Sequence, residues 1–323
     1  SLDSKNYLHY ELKEEGRTSI FSLILIGYIA NKTEVLPSSS LPYLTNLLLY
    51  ITSPCMIMSS IYSNTLSKNL IQSTVEVSIG SIFYFVISSI LAYLIIKILK
   101  FHPKEDYGMY ICAISLVNTG FMGFPITKEI FGNTYLYLMA IQNIFLNIYL
   151  VGFTPGVLNI GHKVKTGFKD FLKGMCSVIT LSIIVGLILL FTGIRLPSML
   201  DDIINMLSDA TIPVSMIVVG VQLGSSKFKT LISRYNIIVT FVSMFIIPML
   251  TFLVVDNMNF LTVESKVTLI FATAFPTAVM GVIFAEQYNK NSRGMAEIVS
   301  LSTLISIATI PLAAAFLSAY YGL

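Results

Sequence analysis

Apolar residues follow one another along this chain in ten long stretches, separated by short connections that hold most of the charged residues. Most stretches are close to the roughly 20 residues that a helix needs to cross about 30 Å of hydrocarbon. The pattern therefore predicts an all-α polytopic membrane protein with ten transmembrane helices. The predicted spans are 18–31, 41–62, 73–99, 107–131, 134–160, 176–194, 198–223, 235–255, 264–288 and 295–322.

Composition agrees with a membrane protein. Hydrophobic residues make up 55% of the 323 residues and charged residues 11%, and the mean hydropathy is +0.79. Soluble domains carry about 25% charged residues, so this chain could not form an ordinary water-facing surface. Residues 1–17 are a polar leader whose native status is open, and we set them apart from the fold.

The position of the basic residues predicts the orientation in the membrane. Of the 20 Lys and Arg residues, 13 fall on alternate connections, and four of these lie in the loop 161–175. The positive-inside rule makes those connections cytoplasmic and places both termini on the extracytoplasmic side. The net charge of +3 then reflects topology rather than nucleic-acid binding. We expect a multi-pass protein of the cytoplasmic (plasma) membrane.

The chain also repeats itself weakly. Gly27 corresponds to Gly186, Pro54 to Pro213, and "NTGFMG" at 118–123 to "PTAVMG" at 276–281, all at offsets of 158 or 159. Each unit holds five spans, an odd number, so the second unit must enter the bilayer from the opposite face. This predicts a 5+5 inverted repeat. Its parts are the first unit at 18–160, the loop 161–175 and the second unit at 176–323.

The fourth and ninth spans contain residues that interrupt helices. Asn118, Gly120 and Gly123 lie in the middle of the fourth span, and Pro276 and Gly281 in the ninth. Irregular backbone survives in a bilayer only against protein or a water-filled cavity. We expect both helices to be broken and to cross at mid-membrane, where substrate or water would replace the missing hydrogen-bond partners.

Such a crossing brings together the N-terminal ends of two half-helices. These ends carry free N–H groups and a partial positive charge, which suit an anion. A small organic carboxylate is the expected ligand, while phosphate or an inorganic anion stays open. The candidate substrate-binding residues of the two breaks are Asn118, Thr119, Gly120, Gly123, Pro276 and Thr277.

The segments "SLVNTGFMGFPITKEIFGN" and "FPTAVMGVIFAEQYN" resemble the two crossover segments of the auxin efflux carrier family, which includes the plant PIN carriers and bacterial malate and other organic-acid permeases. The resemblance implies a scaffold of helices 1, 2, 6 and 7, which carries a homodimer contact. It also implies a transport unit of helices 3–5 and 8–10. Asn118 aligns with the substrate-contacting asparagine and Pro276 with the crossover proline. Val117 stands where plant carriers usually have proline, so the first break must depend on Asn118 and its glycines.

Three further polar residues are candidates. Gln142 aligns with a polar residue near the substrate region of the plant carriers. Their early acidic residue of helix 3 falls near Thr74, two positions before Glu76, so proton coupling through Glu76 is an open alternative. Asp209 lies inside the seventh span, where an ionisable residue is a candidate for coupling or gating. The alternative for Asp209 is a helix-entry group wetted from outside.

We find no nucleophile–base pair, no metal-ligand spacing and no phosphate-binding loop, so we predict no enzyme activity, no metal and no cofactor, with Na⁺ or H⁺ as the possible coupling ion. The sequence predicts a secondary transporter of small organic anions, such as malate or auxin-like acids, by alternating access. A sodium-coupled symporter of the bile-acid carrier type is one alternative. A non-transporting membrane sensor that binds a ligand is another.

Overall fold

The computed structural model describes residues 22–160, 177–226 and 231–323. The predicted leader 1–17 and loop 161–175 lie outside these residues. Within these residues all regular secondary-structure elements are helices. The one β-type contact among them is an isolated bridge between residues 117 and 277. The helices are α1 (22–32), α2 (Ser38–Tyr62), α3 (Lys68–Ile98), α4 (Tyr107–Ser115), α5 (Phe124–Phe131), α6 (Asn133–Gly152), α7 (Thr154–Leu158), α8 (Val178–Thr192), α9 (Ser198–Ser225), α10 (Arg234–Asp256), α11 (Val263–Thr273), α12 (Met280–Gln287) and α13 (Ser292–Tyr321).

These helices account for the described part of every predicted span. Six of them, α2, α3, α6, α9, α10 and α13, are long and apolar enough to cross a membrane, and α8 is a shorter apolar helix. The all-helical, multi-pass architecture is therefore confirmed. The number of ten transmembrane helices, the inverted repeat, the division into a scaffold and a transport unit, and the homodimer stay predictions.

Helix α3 illustrates how the sequence positions these elements. Ser67 begins the helix by accepting a hydrogen bond from the N–H of Leu70, which caps one of the unpaired groups at its start. Further along, Ile82, Val86 and Ile90 recur at intervals of four and are 51%, 51% and 55% exposed. Apolar side chains this exposed along a whole helical face match a surface that contacts lipid.

Helices pack most closely at positions where glycine leaves room for the backbone of a neighbouring helix. A Cβ atom on Gly27 of α1 would lie 2.2 Å from the carbonyl oxygen of Ile217 in α9, and one on Gly220 would lie 2.0 Å from that of Ile24. Small residues allow such backbone contact between membrane helices. A Cβ atom on Gly186 of α8 would likewise lie 3.0 Å from Ile61 of α2. Gly27 contacts Gly220 in the first of these packing contacts, and Gly186 contacts Ile61 in the second. The offset of 159 converts Gly27 into Gly186 and Ile61 into Gly220, so the two contacts occupy equivalent positions, as the predicted repeat requires.

The buried apolar residues form two clusters that meet at the interruptions. One contains Phe124 of α5 and Phe271 of α11. The other contains Ile111 of α4 and Ala285 of α12. The two halves of each broken span therefore belong to different parts of the core, and the breaks lie at the boundary between them.

A glycine in the α1–α9 contact and a glycine with free space around it should respond to alanine substitution in opposite ways. Gly220→Ala should lower the free energy of unfolding by about 1–3 kcal/mol, because the helices must separate to admit the new methyl group. Gly156→Ala in α7, where nothing lies within 4 Å of the added Cβ, should raise it by up to about 1 kcal/mol. Denaturant unfolding in detergent micelles measures both values. A Gly220→Ala protein as stable as the parent would contradict the close contact.

Candidate functional site

The first interruption depends on an asparagine rather than a proline. Helix α4 ends at Ser115, and Leu116 has extended backbone angles of φ −85° and ψ 109°. A π-helical turn, Thr119–Gly123, wider than an α-helical turn, then leads into α5. The side-chain Oδ1 of Asn118 accepts a hydrogen bond from the N–H of Phe121 at 3.3 Å, and its carbonyl accepts one from Gly123 at 3.2 Å. Asn118 therefore restarts the helix without the proline that Val117 replaces.

The second interruption lies between α11 and α12. Pro276 has no N–H group and cannot continue the helix. Thr277, which is 1% exposed, is held from both sides. Its N–H donates to Oγ of Ser302 in α13 at 3.2 Å, and its hydroxyl donates to the carbonyl of Ala113 in α4 at 2.7 Å. The break is thus fixed by two other helices.

The two interruptions pair with each other as short antiparallel strands. The N–H of Asn118 donates to the carbonyl of Pro276 at 2.7 Å, and the N–H of Ala278 donates to that of Leu116 at 2.9 Å. Val117 and Thr277 face each other across this bridge. Our expectation that substrate or water supplies the missing partners needs correction for these groups. The protein satisfies them itself, because an antiparallel pair needs no solvent.

The predicted residues of the two breaks come together at this crossing. Thr119 is fully buried, and its Oγ1 accepts a hydrogen bond from Nδ2 of Asn143 at 3.0 Å. The Nδ2 group of Asn118 has no hydrogen-bond partner within the described ranges. Gly120 is half-buried, and a Cβ atom there would find only Asn143, at 3.8 Å. Asn118 is itself buried, with 5% exposure, so the open side of the crossing lies at the half-buried Gly120, two residues further along the chain. Gly123 packs against Thr119 and Phe275.

Electrostatics at the crossing come from the backbone. The residues of both interruptions, 116–123 and 274–279, are all neutral. Helices α5 and α12 both begin at the crossing. Because the N-terminal end of a helix carries about half a positive charge, two such ends favour an anion without an arginine or lysine.

Gln142 and Glu76 lie in the wall of a different cavity. This cavity of about 350 Å³ is lined chiefly by apolar residues of α3, α10 and α11, with Gln142 of α6 in its wall. Glu76 accepts hydrogen bonds from Gln72 and from the N–H and hydroxyl of Thr262. The Oε1 atom of Gln142 is buried without a partner among the residues described. A substrate contact for Gln142 and a coupling role for Glu76 stay predictions.

Asp209 lies on α9 with its side chain 80% exposed, and its carboxylate is 3.6 Å from Nζ of Lys128 on α5. The same ammonium group donates a shorter hydrogen bond, 2.7 Å, to Oγ of Ser208. The structure thus connects the half-helix that follows the first break to α9. Lys128 is not among the site residues predicted from the sequence.

Sequence reasoning also missed Asn143 and Ser302, which hold the two breaks in place. Asn143 is the direct neighbour of Gln142, but successive helical residues differ by about 100° in direction, so the two face different surroundings. The sequence signal for Asn143 was an amide side chain within an apolar span, which must find a hydrogen-bond partner when it is buried. Ser302 offered none, because serine is common in this chain's helices.

Comparison with known proteins finds similarity to membrane transporters along almost the whole chain. The model of one family, described as membrane transport protein, matches residues 18–166 and 161–314. An uncharacterized transporter of Methanocaldococcus jannaschii is 26% identical over 299 residues, which cover 91% of this chain and 95% of that protein. The uncharacterized transporter YfdV of Escherichia coli K12 is 22% identical over 302 residues, or 91% and 94% of the two chains.

The role of Ser302 predicts a difference between two buried serines of α13. Ser302→Ala should lower the free energy of unfolding by about 1–3 kcal/mol, because the buried N–H of Thr277 loses its acceptor. Ser306→Ala is the matched control, since among the residues described the Ser306 hydroxyl bonds only the carbonyl of Thr303 in its own helix. Its loss should stay below about 1 kcal/mol. If both variants lose the same free energy of unfolding in detergent, the Ser302–Thr277 hydrogen bond does not stabilise the second interruption.

Proposed function

Because this chain belongs to the family of membrane transport proteins, in which its crossover segments resemble those of the auxin efflux carriers, we propose that it moves small organic anions across the membrane by alternating access. The observation that carries this proposal is the pairing of two broken spans at Asn118 and Pro276. Carboxylates such as malate or auxin-like acids are the proposed substrates.

The chemistry of the open side favours a carboxylate. The Nδ2 group of Asn118, which has no partner among the described residues, can donate to one carboxylate oxygen, and Gly120 lets a ligand approach the backbone closely. The N-terminal ends of α5 and α12 add positive potential. A neutral site of this kind holds an anion through dipoles and releases it more readily than an ion pair would, which suits a carrier.

The other predicted residues take positioning roles in this proposal. Thr119 and Thr277 use their hydroxyls for hydrogen bonds within the protein, to Asn143 and Ala113. Gly123 allows the turn to pack against Phe275, and Pro276 supplies the carbonyl that receives the N–H of Asn118. Together they hold Asn118 in place at the crossing.

Movement of the transport unit must break its contacts with the scaffold. Lys128 of α5 forms such a contact with Ser208 and Asp209 of α9. We propose that this contact closes one state of the transport cycle. Ser208 is fully buried, whereas Asp209 is mostly exposed, so the Lys128–Ser208 hydrogen bond should dominate and the ion pair should add little.

Asn118→Asp tests the anion site without removing the cap. The new carboxylate keeps an acceptor for the N–H of Phe121 but replaces the free donor with a negative charge. We expect the affinity for organic anions to fall by about 10- to 100-fold, because one hydrogen bond to a charged group is lost. Repulsion between the new carboxylate and the anion would lower the affinity further. Malate flux into proteoliposomes and binding by thermal shift measure this.

The control is Asn205→Asp in α9, where Oδ1 accepts a hydrogen bond from Ser59 at 2.8 Å and the same change is made away from the crossing. Unchanged binding and flux in a folded Asn118→Asp protein would remove Asn118 from the site. Flux that requires Na⁺ would favour the sodium-coupled alternative. Binding of organic anions without any flux would favour a sensor.

The Lys128 contact predicts coupling between specific pairs of substitutions. In a double-mutant cycle on maximal flux, Lys128→Met and Ser208→Ala should be non-additive by about fivefold, because each removes the same hydrogen bond. Lys128→Met and Asp209→Asn should be additive within about threefold, since an exposed ion pair contributes little. Full additivity for Lys128 and Ser208 would contradict a shared gating contact.

A further inference from the structure

A basic concavity lies at the junction of α3 and α4, at the opposite end of α4 from the first interruption. It has a volume of about 480 Å³ and brings together side chains from the end of α3, the connecting loop and the start of α4. Its lining residues are Tyr93, Lys97, Lys100, His102, Lys104 and Tyr107.

The loop that carries these residues is anchored. Phe101 is fully buried between Tyr110 and Tyr235, with ring centroids 5.0 and 4.3 Å away. At the far end of the loop, the carboxylate of Asp106 accepts a hydrogen bond from Asn291 at 2.9 Å. The lysines are therefore held around the concavity by a buried aromatic contact on one side and a polar contact on the other.

The positive charge of the concavity is not neutralised by the described part of the protein. Lys97, Lys100 and Lys104 have no ion pair there, and the ammonium of Lys97 lies 5.8 Å from the centre of the Tyr93 ring. The acidic residues Glu105 and Asp106 follow Lys104 but do not line the concavity. Three unpaired ammonium groups around one concavity favour an anion with several oxygens.

Apolar surface continues from the concavity along α3. Ile90, Leu94 and Ile98 are 55%, 46% and 73% exposed. Helix α3 is long and apolar enough to span a membrane. A bilayer around it would place this face against acyl chains and the basic end at the level of lipid headgroups. The site thus places a polar anion site directly beside a surface for hydrocarbon.

We propose that this concavity binds the phosphate of an anionic phospholipid headgroup, with the acyl chains along α3. Basic pockets at the ends of membrane helices and clusters of lysine beside them attract anionic lipids. Tyr93 and Tyr107 flank the headgroup, where amphipathic rings are favourable. The proposed orientation makes this the cytoplasmic leaflet, but headgroup binding itself does not depend on the transported substrate.

The test compares lipids on the purified full chain in a neutral detergent. Phosphatidylglycerol should raise the unfolding temperature and bind in native mass spectrometry, whereas phosphatidylcholine should do so much less. Lys97→Gln/Lys104→Gln should weaken phosphatidylglycerol binding by about 10- to 30-fold, since each lysine near a charged lipid surface contributes about 1 kcal/mol. Lys100 has a positive φ of 52°, so Lys100→Asn is the suitable independent variant there.

The matched control is Lys68→Gln/Arg195→Gln, which removes the same charge from two predicted extracytoplasmic connections, with Lys68 at the opposite end of α3 from the concavity. It should leave phosphatidylglycerol binding within about twofold of the parent, because surface charge alone contributes little at a distance. Equal weakening in both double variants would overturn the site. Inorganic phosphate or glycerol phosphate binding as tightly as phosphatidylglycerol would show a soluble-anion site instead, and would also overturn the proposal. Malate flux, measured in parallel, separates this result from the Asn118 test.

Discussion

The backbone pairing between the two broken spans is the interaction on which the rest of the structure depends. An unpaired N–H or C=O group in hydrocarbon costs several kcal/mol, so neither break would be tolerated alone. Asn118 donates to Pro276 and Ala278 donates to Leu116, so each interruption supplies partners for the other. Ser302 and the carbonyl of Ala113 complete the pairing at Thr277. The breaks are thus a single structural unit made from distant parts of the sequence.

This pairing also organises the core and the potential around it. Since α4 and α12 pack in one apolar cluster and α5 and α11 in the other, the crossing lies where the two clusters meet. Two helix N-termini converge there without any charged side chain. The protein satisfies most of the freed backbone itself. Among the described residues, what stays without a partner is the buried side-chain NH₂ group of Asn118, near the half-buried Gly120. A small, neutral and partly open site is compatible with binding that must be reversed in every transport cycle.

Charged residues lie away from the crossing and serve other contacts. Lys128 connects the half-helix after the first break to Ser208 and Asp209 on α9, where a hydrogen bond to a buried serine is stronger than an ion pair in an exposed setting. The lysines around the concavity at the end of α3 have no such partners, and their surroundings match a lipid headgroup. The two proposed roles of lysine in this protein therefore differ according to the groups that pack beside it.

The sequence by itself determined the helical, membrane-spanning class, the family and the places where two spans are interrupted, because span length, apolar content and Asn, Gly and Pro act locally. Only the tertiary structure decided the partners. The sequence could not tell that Asn143 rather than Gln142 faces Thr119, because the rotation of α6 about its axis depends on its neighbours. Nor could it show that Ser302 holds Thr277 or that Lys128 reaches Ser208, since these contacts join residues 25 and 80 positions apart, which only packing brings together.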